Sequence, residues 1–448
     1  MAEKKIIIIG AGLCGTLLAI RMAQRGYKVS LHEKRSDMRN EEMSAGRSIN
    51  LALSTRGLMA LDRVGLKEKV TESCIPMHGR MIHLKGGDTF LSKYSGRDTD
   101  YINSVSRGGL NCLLLDEAEK NDNIEIHFNS NCKSVDIENG KAVFVQNDWD
   151  VLEQGEVVIG TDGAGSIVRK SMMKQTTKLL FNYSQNFLRH GYKELSILPS
   201  IDGGYKIEKN ALHIWPRDTH MVIALPNLDG SFTLTMFHPF EGEAGFNTLD
   251  DPDKLKAFFE ENYNDLLPYI PHYQEEYKEN PVGTLGTIKC YPWTAYGKTL
   301  VMGDAAHAIV PFYGQGMNAS FEDVRVFDDC LDDHEGKDWN TLFEDFQERR
   351  SINANAIADL AIDNFDEMQN KTNDEAFLLK RKLEMKLEQS FPEYYSKYSL
   401  VTFRPELDYH KAMTKGRRQD EYLLDLCKNP IDIETLDLAS IVDKINKL

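Results

Sequence analysis

The stretch Ile6-Ile7-Ile8-Ile9-Gly10-Ala11-Gly12-Leu13-Cys14-Gly15 decides the fold. Four isoleucines in a row read as a buried strand, the glycines of GxGxxG as a tight turn, and the apolar periodicity of residues 16–25 as a helix. Residues 27–32 complete a βαβ unit that ends at Glu33. Glycines in such a turn let the backbone approach a pyrophosphate, and the helix start then holds the phosphate charge through its N–H groups and dipole. Gly10, Gly12 and Gly15 are therefore candidate cofactor contacts. Glu33 stands about twenty residues past the turn, where a carboxylate accepts both ribose hydroxyls and repels a 2′-phosphate, so the site suits FAD or NAD rather than NADP. Arg35 is grouped with it, either as a further cofactor contact or as the partner in a solvated charge pair. The same glycines interrupt the apolar run, and no small-residue cleavage site follows, so a signal peptide is excluded.

Outside this unit the composition narrows the classes. A chain of 448 residues, 41% of them apolar, exceeds what one core supports. Its 53 basic and 69 acidic residues give a net charge of -16, which argues against a nucleic-acid or anionic-membrane partner. Cys14, Cys74, Cys112, Cys132, Cys290, Cys330 and Cys427 are odd in number, scattered and never spaced as CxxC, so neither a disulfide framework nor a metal site is indicated. No apolar run approaches the ~18 residues needed to span a bilayer. A soluble, cytoplasmic protein is expected, as monomer or homodimer.

Strand-like patterns recur at 80–84, 89–94, 124–128 and 157–159, with a helix over 108–121. From 179 to 290 the pattern becomes antiparallel, with runs at 213–215, 220–225 and 232–237 and Asp229-Gly230 as a hairpin signal. Residues 300–303 return to a buried strand, and 316–389 read as largely helical. The last forty residues are charged and helical in pattern.

Two further segments extend the dinucleotide signal: Gly160-Thr161-Asp162-Gly163-Ala164 and Gly303-Asp304-Ala305-Ala306-His307, each after an apolar strand. GxGxxG, a DG segment and a GD segment in that order resemble the single-component flavoprotein hydroxylases related to p-hydroxybenzoate hydroxylase. The resemblance implies FAD, bound non-covalently, with Asp304 at the ribityl chain and Asp162 in a segment serving FAD and transient NADPH. Pro311-Phe312-Tyr313-Gly314-Gln315-Gly316-Met317-Asn318 opens a helix, and the backbone N–H groups of Gly316, Met317 and Asn318 are the choices to face the flavin where negative charge develops on reduction.

Gly46-Arg47-Ser48-Ile49-Asn50-Leu51-Ala52-Leu53-Ser54, Gly79-Arg80-Met81-Ile82-His83, Ser104-Val105-Ser106-Arg107, Asn364-Phe365-Asp366-Glu367-Met368 and Tyr398-Ser399-Leu400-Val401-Thr402-Phe403 are more specific. With them the chain resembles the kynurenine 3-monooxygenase family over nearly its whole length. That resemblance implies substrate binding by Arg80 and Tyr94, with Asn364 and Tyr398 completing an amino-acid clamp. It further implies flavin contacts at Ala52 and Arg107, with Cys132 as a candidate contact through its backbone. A guanidinium fork matches a carboxylate bidentately, and tyrosine hydroxyls add geometry. His307 is read as a packing or hydrogen-bonding residue, and no side chain is assigned as catalytic acid or base. Tyr313 stands where the family varies among aromatic residues and histidine.

The implied fold is α/β: a Rossmann-type FAD-binding domain (1–75, 104–178, 290–325), a mostly antiparallel substrate-binding sheet domain (76–103, 179–289) and a helical C-terminal region (326–448). The implied activity is NADPH- and O₂-dependent hydroxylation of L-kynurenine, or a similar aromatic amino acid, through a flavin hydroperoxide. A hydroxylase of another aromatic acid and a flavin-binding sensor or interaction module are the alternatives.

Overall fold

In the computed structural model the described residues are 5–40, 50–370, 374–428 and 432–447, without the side chains of 368–370. Gly46-Arg47-Ser48-Ile49 and the Met368 side chain lie outside them.

Lys5–Ile9 is an inner strand of a six-stranded sheet in the order Thr294–Ala295, Thr299–Val301, Val157–Gly160, Lys5–Ile9, Lys28–His32, Ile124–His127. All neighbours are parallel except the first pair. A parallel sheet is covered on both faces, and Ile6, Ile7 and Ile8 are accordingly fully buried. Successive strands depart to opposite sides of Lys5–Ile9, which opens a crevice at its carboxyl end, where the glycine turn lies. The helix after the turn is Leu13–Gln24, starting earlier than periodicity suggests because Gly12 is its N-cap.

The second large sheet has seven strands in the order Gly283–Tyr291, Asn182–Ile197, Phe232–Pro239, His220–Pro226, Leu212–Arg217, Gly79–His83, Thr89–Lys93. It is antiparallel apart from the pairing of Leu212–Arg217 with Gly79–His83. One face carries Leu195, Trp215, Val222, Leu234 and Met236 against Phe246, Phe259 and Tyr277. The opposite face carries Ile223 and Phe237, which pack against Phe312, Tyr313 and Tyr398. A smaller sheet, Asn50–Leu53, Ile102–Ser106, Ile75–Met77, lies beside it: Asn50 Nδ2 and Ser104 Oγ both donate to Pro226 O.

Asn131–Asp136, Lys141–Gln146 and Trp149–Gln154 form an antiparallel sheet that the sequence patterns did not reveal. Helices Trp339–Asn370, Glu375–Ser390, Lys397–Phe403, Tyr409–Cys427 and Leu438–Ile445 make up most of the C-terminal part. Among the described residues no helix is long and apolar enough to cross a membrane. All seven cysteines are free thiols.

Candidate active site

The glycine turn is built for contact with a ligand backbone-first. Gly10 has φ +105°, and a Cβ there would lie 2.6 Å from Thr161 O. At Gly15 a Cβ would lie 2.0 Å from Gly10 O, so neither position admits a side chain. Gly12 meets nothing within 4 Å, leaving the first turn of Leu13–Gln24 open to a phosphate. Glu33 is 6% exposed; its Oε2 accepts from Ala11 N–H (3.1 Å) and its Oε1 from Arg35 Nε (2.8 Å). The charge pair with Arg35 therefore exists, but the Glu33 end of it is buried against the turn rather than solvated. Asn111 Nδ2 donates to Ala11 O (3.2 Å), fastening helix Arg107–Glu119 to the same turn. The Cys132 thiol, raised to about 12 by burial and then by Asp162, is unreactive.

The DG and GD segments divide the work differently from what their sequences suggest. Asp162 Oδ2 accepts from Ile167 N–H (2.6 Å) and Val168 N–H (3.3 Å), so it caps the following helix, while Oδ1 is buried with no partner. The expected cofactor contact at Asp162 is thus restricted to what Oδ1 and the backbone supply. Asp304 instead is exposed, beside Gly303 at φ +61°. Gly303 N–H donates to Asp323 Oδ2 (2.9 Å), which also receives His307 Nε2 (2.6 Å). His307 lies under Trp293 (ring centroids 5.1 Å) and is occupied there, in keeping with a packing and hydrogen-bonding role.

In helix Gly316–Asp333, Ala319 N–H bonds back to Gln315 O (2.8 Å), which leaves the Gly316, Met317 and Asn318 N–H groups as the free first-turn donors. The Asn318 side chain was not anticipated. Its Oδ1 accepts from Ser54 N–H (2.9 Å), and its Nδ2 donates to Ala52 O (2.8 Å) and Gly314 O (2.9 Å). Asn318 therefore locks the Ala52 strand to the loop, and only its backbone N–H is available to a ligand.

Arg80 projects from strand Gly79–His83 with its guanidinium carbon 5.7 Å from the Tyr94 ring and 5.0 Å from the Tyr398 ring. The two rings stack at 5.4 Å, and Tyr398 stacks on Tyr313 at 5.5 Å. Arg80 Nε, Tyr94 Oη and Tyr313 Oη are buried without hydrogen-bond partners. Burial pushes the Tyr94 phenol well up, so it stays a donor at any working pH. Three polar groups left unsatisfied together mark a place where a ligand completes the bonding, because leaving each so costs about 1–3 kcal/mol. Asn364 Nδ2 donates to Phe312 O (2.6 Å) and so fastens its helix to the loop that carries Tyr313.

Among the described residues one further cluster has metal-ligating side chains. His32, His127 and Glu153 bring ligand atoms within 4.8 Å of one another. The two rings stack at 4.6 Å and 18°, however, so their nitrogens lie side by side and do not converge, and Lys5 already pairs with Glu153 (3.0 Å).

The FAD binding domain family matches residues 3–183 and 288–361. A kynurenine 3-monooxygenase of Myxococcus xanthus is 44% identical over 98% of this chain and 94% of its own length. Another, of Dictyostelium discoideum, is 40% identical over 100% and 98%. The chain belongs to the kynurenine 3-monooxygenase family. Among solved structures, 2-methyl-3-hydroxypyridine-5-carboxylic acid oxygenase has the same fold, with TM-score 0.66 at 19% identity over 87% of this chain and 98% of that one. PqsL of Pseudomonas aeruginosa, a probable FAD-dependent monooxygenase, gives TM-score 0.66 at 17% identity over 84% and 99%. As a member of the kynurenine 3-monooxygenase family the chain takes FAD, and its residues fit that group. Gly12 leaves space for the diphosphate, Asp304 offers a free carboxylate to hydroxyls, and helix Gly316–Asp333 presents its free N–H groups.

Proposed function

We propose that this chain hydroxylates L-kynurenine to 3-hydroxykynurenine with NADPH and O₂. The observation that carries the reading is Arg80: a guanidinium with no ion pair among the described residues, lying alongside the stacked Tyr94 and Tyr398 rings, next to a Tyr94 hydroxyl that has no partner. A substrate carboxylate accepts from Arg80 and Tyr94, and the Tyr313 hydroxyl serves the next polar group of the amino acid. Tyr398 bridges the clamp and the loop before Gly316, so the two are separated by two ring spacings, the scale of an amino acid with an aryl ketone side chain. Ile223, Phe237 and Phe312 wall the space between and exclude water.

Bound FAD supplies the redox chemistry with the hydride donor and O₂. The protein needs no general base, because the arylamine of the substrate already activates the ring carbon ortho to it. Its side chains bind, orient and keep the site dry. The assay is NADPH consumption with and without L-kynurenine, with mass analysis of the product. Acceleration with a product heavier by one oxygen is expected; peroxide as the sole product would reject hydroxylation.

Tyr94→Phe separates function from stability in the same site. It removes a buried hydroxyl that has no partner in the ligand-free protein, so stability should rise by about 1 kcal/mol while kynurenine affinity falls. Denaturant unfolding and ligand titration of both proteins measure the two effects. Loss of stability would mean that the hydroxyl serves the fold.

A further inference from the structure

Glu388 stands in the last turn of helix Glu375–Ser390 and is 3% exposed. A carboxylate there faces the negative end of the helix dipole, so the helix itself gains nothing from it. Its two oxygens instead serve two separate loops. Oε2 accepts from Gly96 N–H (2.8 Å) and Oε1 from Ser396 N–H (2.8 Å). Gly96 comes two residues after Tyr94, and Ser396 two residues before Tyr398.

Both loops are fixed at this point. A Cβ at Gly96 would lie 2.8 Å from Gln389 N and from Met385 O, so the loop rests directly on the helix end and admits no side chain there. Arg97, next in the chain, donates from Nη2 to Pro392 O (2.9 Å) and Tyr394 O (2.6 Å), the carbonyls that lead out of the helix, and its Nη1 is 3.9 Å from Glu388 Oε1. Ser396 caps helix Lys397–Phe403, its side chain accepting from Ser399 N–H (3.4 Å). Two residues of chain span at most about 7 Å, so the backbone of each tyrosine is tethered within that reach of an N–H held by one carboxylate. The rings of Tyr94 and Tyr398 stack at 5.4 Å, with the Arg80 guanidinium alongside them.

We propose that Glu388 is a positioning residue for the substrate clamp. By holding the Gly96 and Ser396 N–H groups to one carboxylate, it sets Tyr94 against Tyr398 and so places the Tyr94 hydroxyl where a substrate carboxylate meets Arg80. The inference rests on the kynurenine clamp assigned above. Both tethers need an acceptor. In Glu388→Gln one of the two oxygens becomes an amide NH2, which faces a backbone N–H and displaces one of the loops. Hydrogen bonds to a carboxylate are the strong kind, so the loss of one is enough to shift the ring it governs.

The test titrates the flavin fluorescence of full-length holoprotein with L-kynurenine in wild type, Glu388→Gln, Tyr94→Phe and the double variant. Glu388→Gln should raise Kd roughly tenfold, the worth of one hydrogen bond to the substrate. KM should rise likewise with kcat within about threefold of wild type, since Arg80 and FAD are left in place. In the Tyr94→Phe background the same substitution should raise Kd by less than about threefold, because the hydroxyl it positions is already gone. Equal factors in the two backgrounds, or a Glu388→Gln Kd within about twofold of wild type, overturns the proposal. Should Glu388→Gln fold poorly, Glu388→Asp carries the same cycle, because it keeps the charge but is one methylene too short to reach both N–H groups. If both variants unfold or lose FAD, the carboxylate serves the fold and the proposal fails. Wild-type protein that gives no response to L-kynurenine would instead overturn the assigned function, and this inference with it.

Discussion

Replacing Arg80 by alanine is expected to weaken L-kynurenine binding by about 2–5 kcal/mol, roughly 30- to 5,000-fold in Kd. Its guanidinium lies alongside both the Tyr94 and the Tyr398 ring, and its Nε is buried without a partner. A carboxylate entering a largely dry site exchanges its hydration for that guanidinium, and without it the charge is buried unpaired. Arg80→Lys keeps the charge but loses the planar fork and should fall between wild type and alanine. FAD content should be unchanged in both, since Arg80 is on the seven-stranded sheet and the glycine turn is on the six-stranded one. Flavin fluorescence titrated with kynurenine measures all three proteins. Equal affinities would reduce Arg80 to a surface charge.

How much of this was legible in the sequence depends on how local the determinant is. The glycine turn was readable because Gly10 and Gly15 are demanded by contacts with segments that announce themselves in sequence. The hairpin at Asp229-Gly230 was readable for the same reason: Gly230 takes φ +86°, and the strands His220–Pro226 and Phe232–Pro239 follow directly. Strand Asn182–Ile197 was not. Its first half is exposed on both faces, and its register against Gly283–Tyr291 shifts between Phe187 and Gly191, so no period-two alternation survives. The strands between Asn131 and Gln154 were hidden as well, because Asn131–Asp136 and Trp149–Gln154 show no sustained apolar alternation. Within the site, Arg80, Tyr94 and Tyr398 are neighbours although they lie far apart in sequence. The locking role of Asn318 and the backbone bonds of Asp162 and Asn364 depend on partners that no motif encodes. The partner of Asn318, the carbonyl of Ala52, lies 266 positions away.

The same non-locality governs the second large effect, expected at Arg350. Its Nε donates to Asp323 Oδ1 (2.7 Å), one Nη to Glu322 Oε2 (2.8 Å) and the other to Ala319 O (3.1 Å), and the residue is 2% exposed. Arg56 reaches Glu322 Oε1 (2.8 Å) from the other side and ties it to the carbonyls of Val401 and Leu407. Asp323 in turn holds Gly303 N–H and His307, so this ion cluster joins the GD turn to the helices that carry Tyr398. Arg350→Ala leaves two buried carboxylates short of a cation and should cost about 3–5 kcal/mol of stability. Arg349→Ala, next in sequence but 38% exposed and paired with Asp333 and Asp345, should cost under about 1 kcal/mol. Burial alone would raise Glu322 and Asp323, but the surrounding cations hold both below the usual carboxylate range. Their contribution is accordingly present above about pH 4 and is lost as pH falls toward the depressed native values, so the wild-type advantage over Arg350→Ala should shrink in acid. Urea unfolding of the three proteins at pH 7 and at about pH 3, below the unfolded-state carboxylate range, followed by both tryptophan and flavin fluorescence, decides the matter. The flavin signal of Arg350→Ala should be lost at lower urea than that of wild type, because Gly303 and Asp304 depend on Asp323. Similar midpoints for Arg350→Ala and Arg349→Ala would show that the cluster does not hold the site together.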